Sequence, residues 1–299
     1  MRVYILLILC VLFWSGNFII GRYVHDDINP ITLALFRWCG VVLLMLPIFI
    51  KSYTKILSSL KKNFFVLVGL SVLGITIFNT ILYVGLQDTT ATNALLINSS
   101  IPILILVLSF FILGIPIKTK QFIGIILSTF GVIYLIIKGD FSLLSQLELN
   151  RGDLWVLLSS LTWASYSVLV RFKPKDLNDI EFFTTIVYIG TLFLGVIYLF
   201  TDNSIAQDIQ LIPRYYPIFI YISLFTSVLS FYFWHKGIHE IGANKTGQFT
   251  HLMPIFGSVL AYLFLGEVLH AFHIVGATFI AIGIYLSLFN NTPAKNTKV

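Results

Sequence analysis

Charged residues are scarce in this sequence. They make up 11% of its 299 residues, whereas hydrophobic residues make up 58%. A water-soluble fold of this size would lack the polar surface needed to cover itself. Cysteine is almost absent as well, and Cys10 and Cys39 lie inside apolar runs without the spacing of a disulfide framework or a metal site. The composition therefore indicates a chain that is solvated by lipid.

Apolar runs of about 20 residues, the length that crosses a bilayer as helix, recur along the whole chain. They predict an all-α integral membrane protein with ten transmembrane helices and short connections. The first run starts like a secretory signal, but no A-x-A-like cleavage site follows it, so we expect it to be retained. The predicted spans are 3–24, 30–50, 63–85, 91–113, 120–137, 152–171, 181–200, 215–237, 243–266 and 270–289.

Basic residues are concentrated on one side of this predicted topology. Of the 19 lysines and arginines, 14 fall on the side of the N-terminus, which we call the basic side, and four fall on the opposite side. Loops rich in lysine and arginine stay in the cytoplasm, so we expect both termini to be cytoplasmic. This asymmetry explains the net charge of +6 without a nucleic-acid partner.

The sequence contains one stretch twice, at 85–131 and at 237–283. A shift of 152 residues superposes all four glycines of the first copy, beginning with Gly85 on Gly237, and also superposes Pro102 on Pro254. Self-similarity at a fixed offset indicates a duplicated unit.

Each unit holds five predicted spans, an odd number, so the second unit enters the membrane from the opposite side. We therefore predict two inverted five-helix repeats, 1–139 and 152–290, followed by a cytoplasmic tail, 291–299. Inverted repeats are a recurring architecture of secondary transporters, whose substrate site lies near mid-membrane between the halves.

A second offset, 149 residues, aligns the first spans of the two units. It places W-S-G-N, which begins at Trp14, on W-A-S-Y, which begins at Trp163. Tryptophan near the middle of a span needs packing partners or an aqueous cavity for its N–H group. The matched positions favour a cavity.

These segments resemble the EamA branch of the drug/metabolite transporter superfamily, as do A-L-F-R-W at 34–38, L-F-L-G-E at 263–267 and the paired stretches 85–102 and 237–254. The resemblance covers nearly the whole chain. It implies a ten-helix exporter of small metabolites, typically amino acids or related compounds, in the cell inner (plasma) membrane. The first half departs from the family where Gly114 is not followed by a glutamate, so the role of Glu267 is left open.

Polar side chains at membrane depth are costly without partners and are therefore candidates for a site, although many serve as hydrogen bonds between helices. Asn79 and Tyr83 share one face of the third span, where Tyr83 aligns with His235 of the eighth. Two prolines, Pro102 and Pro254, break the fourth and ninth spans, and broken helices of this kind mark transporter sites. The expected walls of a central pocket are Trp14, Asn17, Asn79, Tyr83, Asn98, Trp163, Tyr166, Tyr232 and His251.

Two of the polar residues have open roles. His251 could couple export to protons, although a neutral, hydrogen-bonded histidine is favoured. Arg37 could bind a substrate carboxylate, but a side chain that reaches outward to Asp26 or Asp27 is favoured. Within the predicted spans, Asp and Glu occur near the ends and not in the middle, which disfavours organic cations and favours neutral, zwitterionic or weakly anionic substrates.

Other classes of membrane protein remain as alternatives. An intramembrane enzyme would need a motif such as G-x-S-x-G or H-E-x-x-H, and neither occurs, so no enzyme, cofactor or metal is expected. A multidrug exporter and a receptor or structural protein stay open, as does the choice between monomer and homodimer. The favoured prediction is an exporter that works by alternating access, in which Trp163→Ala or Asn98→Ala impairs transport more than folding.

Overall fold

The computed structural model describes residues 2–146, 150–201, 203–265, 268 and 270–288. This part of the chain is helical throughout, with short turns and no β-strand among the residues described. We label the ten segments that correspond to the predicted spans α1 to α10. Five of them are single helices: α1 Arg2–Tyr23, α2 Pro30–Lys62, α5 Thr119–Ile136, α7 Asp179–Leu199 and α10 Ala271–Leu288.

The other five segments contain a local change of helix type or a break. α3 (Phe64–Asp88) and α8 (Leu211–Ile241) each contain a π-helical turn, and α6 (Arg151–Phe172) ends in a 3-10 turn. α4 consists of the helices Ala91–Asn98 and Ile101–Leu113, and α9 of Ala243–Gly247, the 3-10 helix Gln248–Leu252 and Met253–Leu265. The breaks in α4 and α9 come directly before Pro102 and Pro254, as the sequence predicts.

Among the described residues, nine of these segments are long and apolar enough to cross a bilayer, and α9 falls short because its helices are shorter. The all-α membrane class is confirmed. The total of ten spans and the inverted relation of the two halves stay predictions. The proposed tail, 291–299, and Glu267 lie outside the described residues.

The two halves nevertheless share their irregularities. The π-helical turns Val72–Ile77 in α3 and Leu224–Leu229 in α8 are separated by 152 residues, the offset of the sequence repeat. The broken segments α4 and α9 are separated by the same offset at both ends. Because π-helical turns are rare and cluster at functional sites, two in equivalent positions mark α3 and α8 as site helices.

α5 and α10 pack backbone against backbone. A Cβ atom on Gly124 would lie 2.5 Å from the carbonyl oxygen of Gly283, and one on Gly131 would lie 2.7 Å from that of Gly276. The low residue number on one helix meets the high number on the other, so the two helices run antiparallel. Small residues at this spacing permit such close approach in membranes.

The outer surface of the bundle carries large apolar side chains that suit a lipid environment. Leu43, Phe65, Phe111, Leu192 and Ile274 are each at least 70% exposed. A soluble monomer rarely exposes apolar area on this scale.

Helix α2 is longer than its predicted span, which ended at residue 50. It continues to Lys62, where its basic last turn suits the negative end of the helix dipole. Polar contacts hold this extension against the start of α7, because Lys55 Nζ donates to Glu181 Oε2 at 2.5 Å and Ser52 Oγ donates to Glu181 Oε1. The apolar run ends near residue 50, whereas the helix continues to Lys62.

Candidate functional site

A buried arginine joins the two halves of the bundle near its centre. Arg37 of α2 is 1% exposed. Its Nη1 donates to Asn17 Oδ1 at 3.1 Å, to Asn79 Oδ1 at 2.8 Å and to the Tyr83 hydroxyl at 2.9 Å. Three residues that the sequence names as pocket walls are therefore gathered around one guanidinium.

The remaining partners of Arg37 come from the second half of the chain. Nε donates to Ser227 Oγ at 2.7 Å, and Nη2 donates to the carbonyl oxygen of Thr226 at 3.1 Å. Both acceptors lie in the π-helical turn of α8, and the Thr226 carbonyl also accepts from Trp14 Nε1 at 3.0 Å. The irregular turn thus supplies a carbonyl that serves two side chains at membrane depth, where a free carbonyl would be costly.

The outward orientation favoured for Arg37 from the sequence is not what the structure contains. Asp27 instead accepts from the Tyr215 hydroxyl at 2.6 Å and lies 3.8 Å from Arg214, while Asp26 pairs with His25. Arg37 points inward because acceptors in the first half and in the π-helical turn of α8 bind its Nη1, Nε and Nη2 atoms, which leaves one Nη2 N–H without a described acceptor.

Three tryptophans pack next to this network. The ring centroids of Trp14 and Trp163 are 5.1 Å apart and nearly perpendicular, and Trp234 lies 5.0 Å from Trp14 and 5.6 Å from Trp163. Trp234 Nε1 donates to Ser167 Oγ, whereas Trp163 Nε1 is buried without a partner among the described residues. The matched tryptophans of the two repeats therefore meet in the middle of the bundle.

A small cavity lies between the tryptophans and the arginine network. Its volume is about 10 Å³, which is roughly the space that one water molecule needs. Two wall residues, Asn79 and Trp163, carry buried N–H donors without partners among the described residues. The cavity is lined by Trp14, Asn17, Phe18, Phe78, Asn79, Leu82, Asn98, Ile101, Trp163, Thr250 and Met253.

Two equivalent hydrogen-bonded pairs flank the tryptophans. In the first half, the Tyr83 hydroxyl donates to Asn17 Oδ1 at 2.8 Å. In the second half, the hydroxyl of Tyr166, which aligns with Asn17, lies 2.5 Å from Nε2 of His235, which aligns with Tyr83. The same pair of helix positions is thus linked in both repeats, although the residue types differ.

Two of the nine expected wall residues lie elsewhere. Tyr232 is 38% exposed, and the ammonium group of Lys236 lies over its ring, so it is on the outer face of α8. His251 is fully buried against α5, with Nδ1 2.6 Å from Ser128 Oγ and Nε2 2.9 Å from the carbonyl oxygen of Ser99. His251 is a braced histidine between helices, and its neighbour Thr250 reaches the cavity instead.

The remaining candidates are close to the cavity in different ways. Asn98 lines it, accepts from Ser160 Oγ at 3.1 Å and faces the sulfur of Met253. Tyr166 contacts Trp163, with ring centroids 5.2 Å apart, but its hydroxyl is directed to His235.

Sequence reasoning missed three apolar residues that line the cavity, namely Phe18, Phe78 and Ile101. Their side chains gave no signal that distinguishes them from residues that face lipid.

A larger cavity opens at the basic side, and we call it the vestibule. Its volume is about 180 Å³, and no acidic residue lines it within the described part of the chain. His235, which is 3% exposed, reaches it from α8 and carries a buried Nδ1 atom without a described partner. Its lining is Leu113, Ile115, Ser167, Val168, Val170, Arg171, Lys173, His235, Ile238, His239, Gly242 and Ala243.

The opposite end of the bundle is closed by polar contacts and tight packing. Arg22 Nη1 donates to the carbonyl oxygens of Leu86 and Gln87, and Thr89 Oγ1 donates to Asp153 Oδ1 at 2.5 Å. A Cβ atom on Gly85 would lie 2.9 Å from the carbonyl oxygen of Gly152 at the start of α6. The described bundle is therefore open toward the basic side and shut toward the other.

The comparisons with known proteins concern the family and the fold. The model of the EamA-like transporter family matches the chain twice, at residues 1–137 and 150–289. The chain is 31% identical to the uncharacterized transporter YyaM of Bacillus subtilis (strain 168), over 100% of this chain and 97% of that protein. It is 27% identical to the uncharacterized transporter YetK of the same organism, over 96% and 87% of the two chains. A crystal structure of another protein has the same fold, with a TM-score of 0.73 over 96% of both chains at 13% identity.

Proposed function

Because the chain belongs to the EamA-like transporter family, we propose that it exports small carboxylate-bearing metabolites, such as amino acids or related neutral or zwitterionic compounds, by alternating access. The observation that carries this proposal is the buried guanidinium of Arg37 beside the central cavity. All of its hydrogen-bond acceptors among the described residues are neutral. A charge at membrane depth without a counter-charge attracts a carboxylate, and a free guanidinium N–H donates a charge-assisted hydrogen bond to that group.

The donors around the cavity support the same class of substrate. Arg37 Nη2 carries two N–H groups and has one acceptor, the carbonyl oxygen of Thr226. Asn79 Nδ2 and Trp163 Nε1 add two buried donors without described partners. A site with surplus donors binds a ligand that carries acceptors, because buried polar groups are normally paired.

Transport requires the central cavity to widen. At about 10 Å³ it is too small for an amino acid, whose backbone atoms alone exceed one water molecule. The vestibule of about 180 Å³ is the entrance that we propose, because the opposite end is closed by Arg22 and by the contact of Thr89 with Asp153. Substrate enters the vestibule, the halves move around the tryptophans, and release follows on the other side.

The charge asymmetry supports a cytoplasmic entrance. Lysine- and arginine-rich loops face the cytoplasm, so the basic side, with the vestibule, is the cytoplasmic side. Arg171 contributes a positive charge to the lining, which contains no acidic side chain among the described residues, and this charge favours the entry of a carboxylate. We propose an inner (plasma) membrane location with cytoplasmic termini. Thiol labelling of single cysteines in the loops of intact cells tests that orientation.

The proposed function is tested in proteoliposomes that contain the purified protein. Vesicles are loaded with a mixture of amino acids and related acids, and the external medium is analysed by mass spectrometry over time. Saturable release of one class of carboxylates supports the proposal if an excess of one member of that class inside the vesicles suppresses release of the others. Release that is inhibited equally by unrelated apolar cations indicates a multidrug exporter. No release of any solute, from protein that remains monodisperse, contradicts both.

A further inference from the structure

Two arginines occupy equivalent positions in the two repeats. The offset of 149 residues that aligns Trp14 with Trp163 also aligns Arg22, at the end of α1, with Arg171, at the end of α6. Since the repeats are predicted to be inverted, Arg22 lies at the closed end of the bundle and Arg171 at the basic side. Neither arginine belongs to the network around Arg37.

Arg22 closes its end by holding the last turn of α3. Its Nη1 donates to the carbonyl oxygen of Leu86 at 2.9 Å and to that of Gln87 at 3.0 Å. These carbonyls belong to the final turn of a helix, where they lack partners within the helix and carry partial negative charge. The guanidinium thus caps α3 and ties it to α1.

The equivalent groups at the basic side are apart. Leu86 and Gln87 align with Ile238 and His239 of α8, and both of these line the vestibule together with Arg171. Arg171 is exposed and makes no hydrogen bond or ion pair with a described residue. One arginine therefore caps its helix. Its counterpart lies across an open cavity from the last turn of α8, where the carbonyl oxygen of Ile238 accepts from the Gly242 N–H at 3.0 Å and has a second lone pair for another donor.

We infer that Arg22 and Arg171 are alternating latches, an inference that rests on the proposed alternating access. In the state described here, Arg22 is engaged and the vestibule is open. In the opposite state, Arg171 donates to the carbonyl oxygens of Ile238 and His239, the vestibule closes, and Arg22 releases α3. The two arginines set which side of the protein is open and do not bind the substrate.

The test measures sided access with single cysteines and needs no substrate. Cys10 and Cys39 are replaced by serine, and one reporter is introduced: Ala243→Cys in the vestibule or Thr250→Cys in the central cavity. A membrane-impermeant thiol reagent is added to vesicles of known orientation, either from the basic side or from the other side. The initial rate of labelling is measured for purified, monodisperse protein.

Arg22→Ala is expected to raise labelling of Thr250→Cys from the side opposite the basic side by about tenfold, because two hydrogen bonds from a charged donor are lost. It is also expected to slow labelling of Ala243→Cys from the basic side. Arg171→Ala is expected to speed labelling of Ala243→Cys from the basic side and to slow labelling of Thr250→Cys from the other side. Arg22→Lys, which keeps a cation at the helix end, should give a smaller change.

Arg214→Ala is the matched control, since Arg214 lies on the same side as Arg22 but is 67% exposed and near Asp27 rather than α3. Labelling rates that change in the same direction in Arg22→Ala and Arg171→Ala overturn the inference, as does an unchanged rate in Arg22→Ala. Opposite shifts without any metabolite flux would support the latches and contradict the proposed function. Metabolite flux without opposite shifts in labelling would support the proposed function and contradict the latches.

Discussion

Tyr166 and His235 are joined by a hydrogen bond of 2.5 Å that repeats, in the second half, the link between Asn17 and Tyr83 in the first. Tyr166 is fully buried and His235 is 3% exposed, so the bond between them is shielded from bulk water. In the first half the link continues to Arg37, whereas in the second it ends at the vestibule. The hydrogen-bonded pair in the first repeat is therefore linked to the charge of Arg37, whereas the pair in the second repeat contains the imidazole ring of His235.

Tyr166→Phe is expected to lower the free energy of unfolding by about 1–3 kcal/mol, because it leaves a buried ring nitrogen of His235 without a partner. Thermal unfolding in detergent measures the change. His235→Phe and the double variant complete a cycle, in which the second substitution should cost little once the first is present. Additive effects would show that the pair is not coupled.

Arg37→Lys is expected to reduce metabolite flux by at least about tenfold while the protein remains folded. A lysine keeps the charge but cannot present five donors in a fixed plane to Asn17, Asn79 and a substrate carboxylate together. Flux per molecule in proteoliposomes is the measurement. Arg214→Lys, an exposed substitution, is the control and should transport normally. Normal flux in Arg37→Lys would remove the arginine from the proposed binding role.

Trp163→Phe is a sharper test of the central cavity than Trp163→Ala. The sequence predicts that Trp163→Ala impairs transport more than folding, but Trp163 is 1% exposed and packs against Trp14, Trp234 and Phe78. From this packing, truncation to alanine is expected to cost about 3–5 kcal/mol of stability and to lower abundance. Phenylalanine keeps most of the packing and removes the unpartnered Nε1 donor. We expect Trp163→Phe to retain its melting temperature within a few degrees and to raise the KM for export.

Equal KM values in the parent and in Trp163→Phe would mean that the indole N–H does not contact the substrate. Asn98→Ala remains the milder companion variant, because Asn98 sits at the break of α4 and makes a hydrogen bond to Ser160. It is expected to reduce flux more than thermal stability, as the sequence predicts. Abundance measured by immunoblot separates the two effects.

Gly283→Ala is expected to destabilise the protein by about 1–3 kcal/mol, because the new Cβ atom would lie 2.5 Å from the carbonyl oxygen of Gly124 and 2.6 Å from the Ser128 nitrogen. Gly195→Ala in α7 is the matched control. No heavy atom lies within 4 Å of its Cβ position, so the better helix propensity of alanine should leave stability equal or slightly higher. Melting temperatures of the two variants in the same detergent test the contrast.

The membrane architecture could be predicted from the sequence because a bilayer leaves helices few alternatives. Apolar runs locate the segments, and Pro102 and Pro254 locate the breaks in α4 and α9. The extension of α2 beyond residue 50 and the two π-helical turns could not be found this way. A hydropathy profile depends only on residue composition, and neither the extension of α2 nor the π-helical turns changes that profile.

The structure brings the predicted site residues together where the repeat constrained their positions, and separates them where the face of a helix decided the outcome. Trp14 and Trp163 were found from their matched positions, and they meet in the centre. Tyr232 was placed in the pocket, but it lies on the outer face of α8, whereas Trp234, two residues later and nearly on the opposite side of the helix, packs against Trp14. Arg37 was expected to reach outward because the sequence does not reveal the acceptors that a π-helical turn frees.

The backbone contacts between α5 and α10 limit how the two halves can move. Sliding one helix along the other would bring residues with a Cβ atom opposite the oxygens of Gly283 and Gly276, where a Cβ on Gly124 or Gly131 would lie only 2.5 or 2.7 Å away. Rotation about the line through the two contacts would keep both distances, so in the proposed alternating access this helix pair is the expected axis.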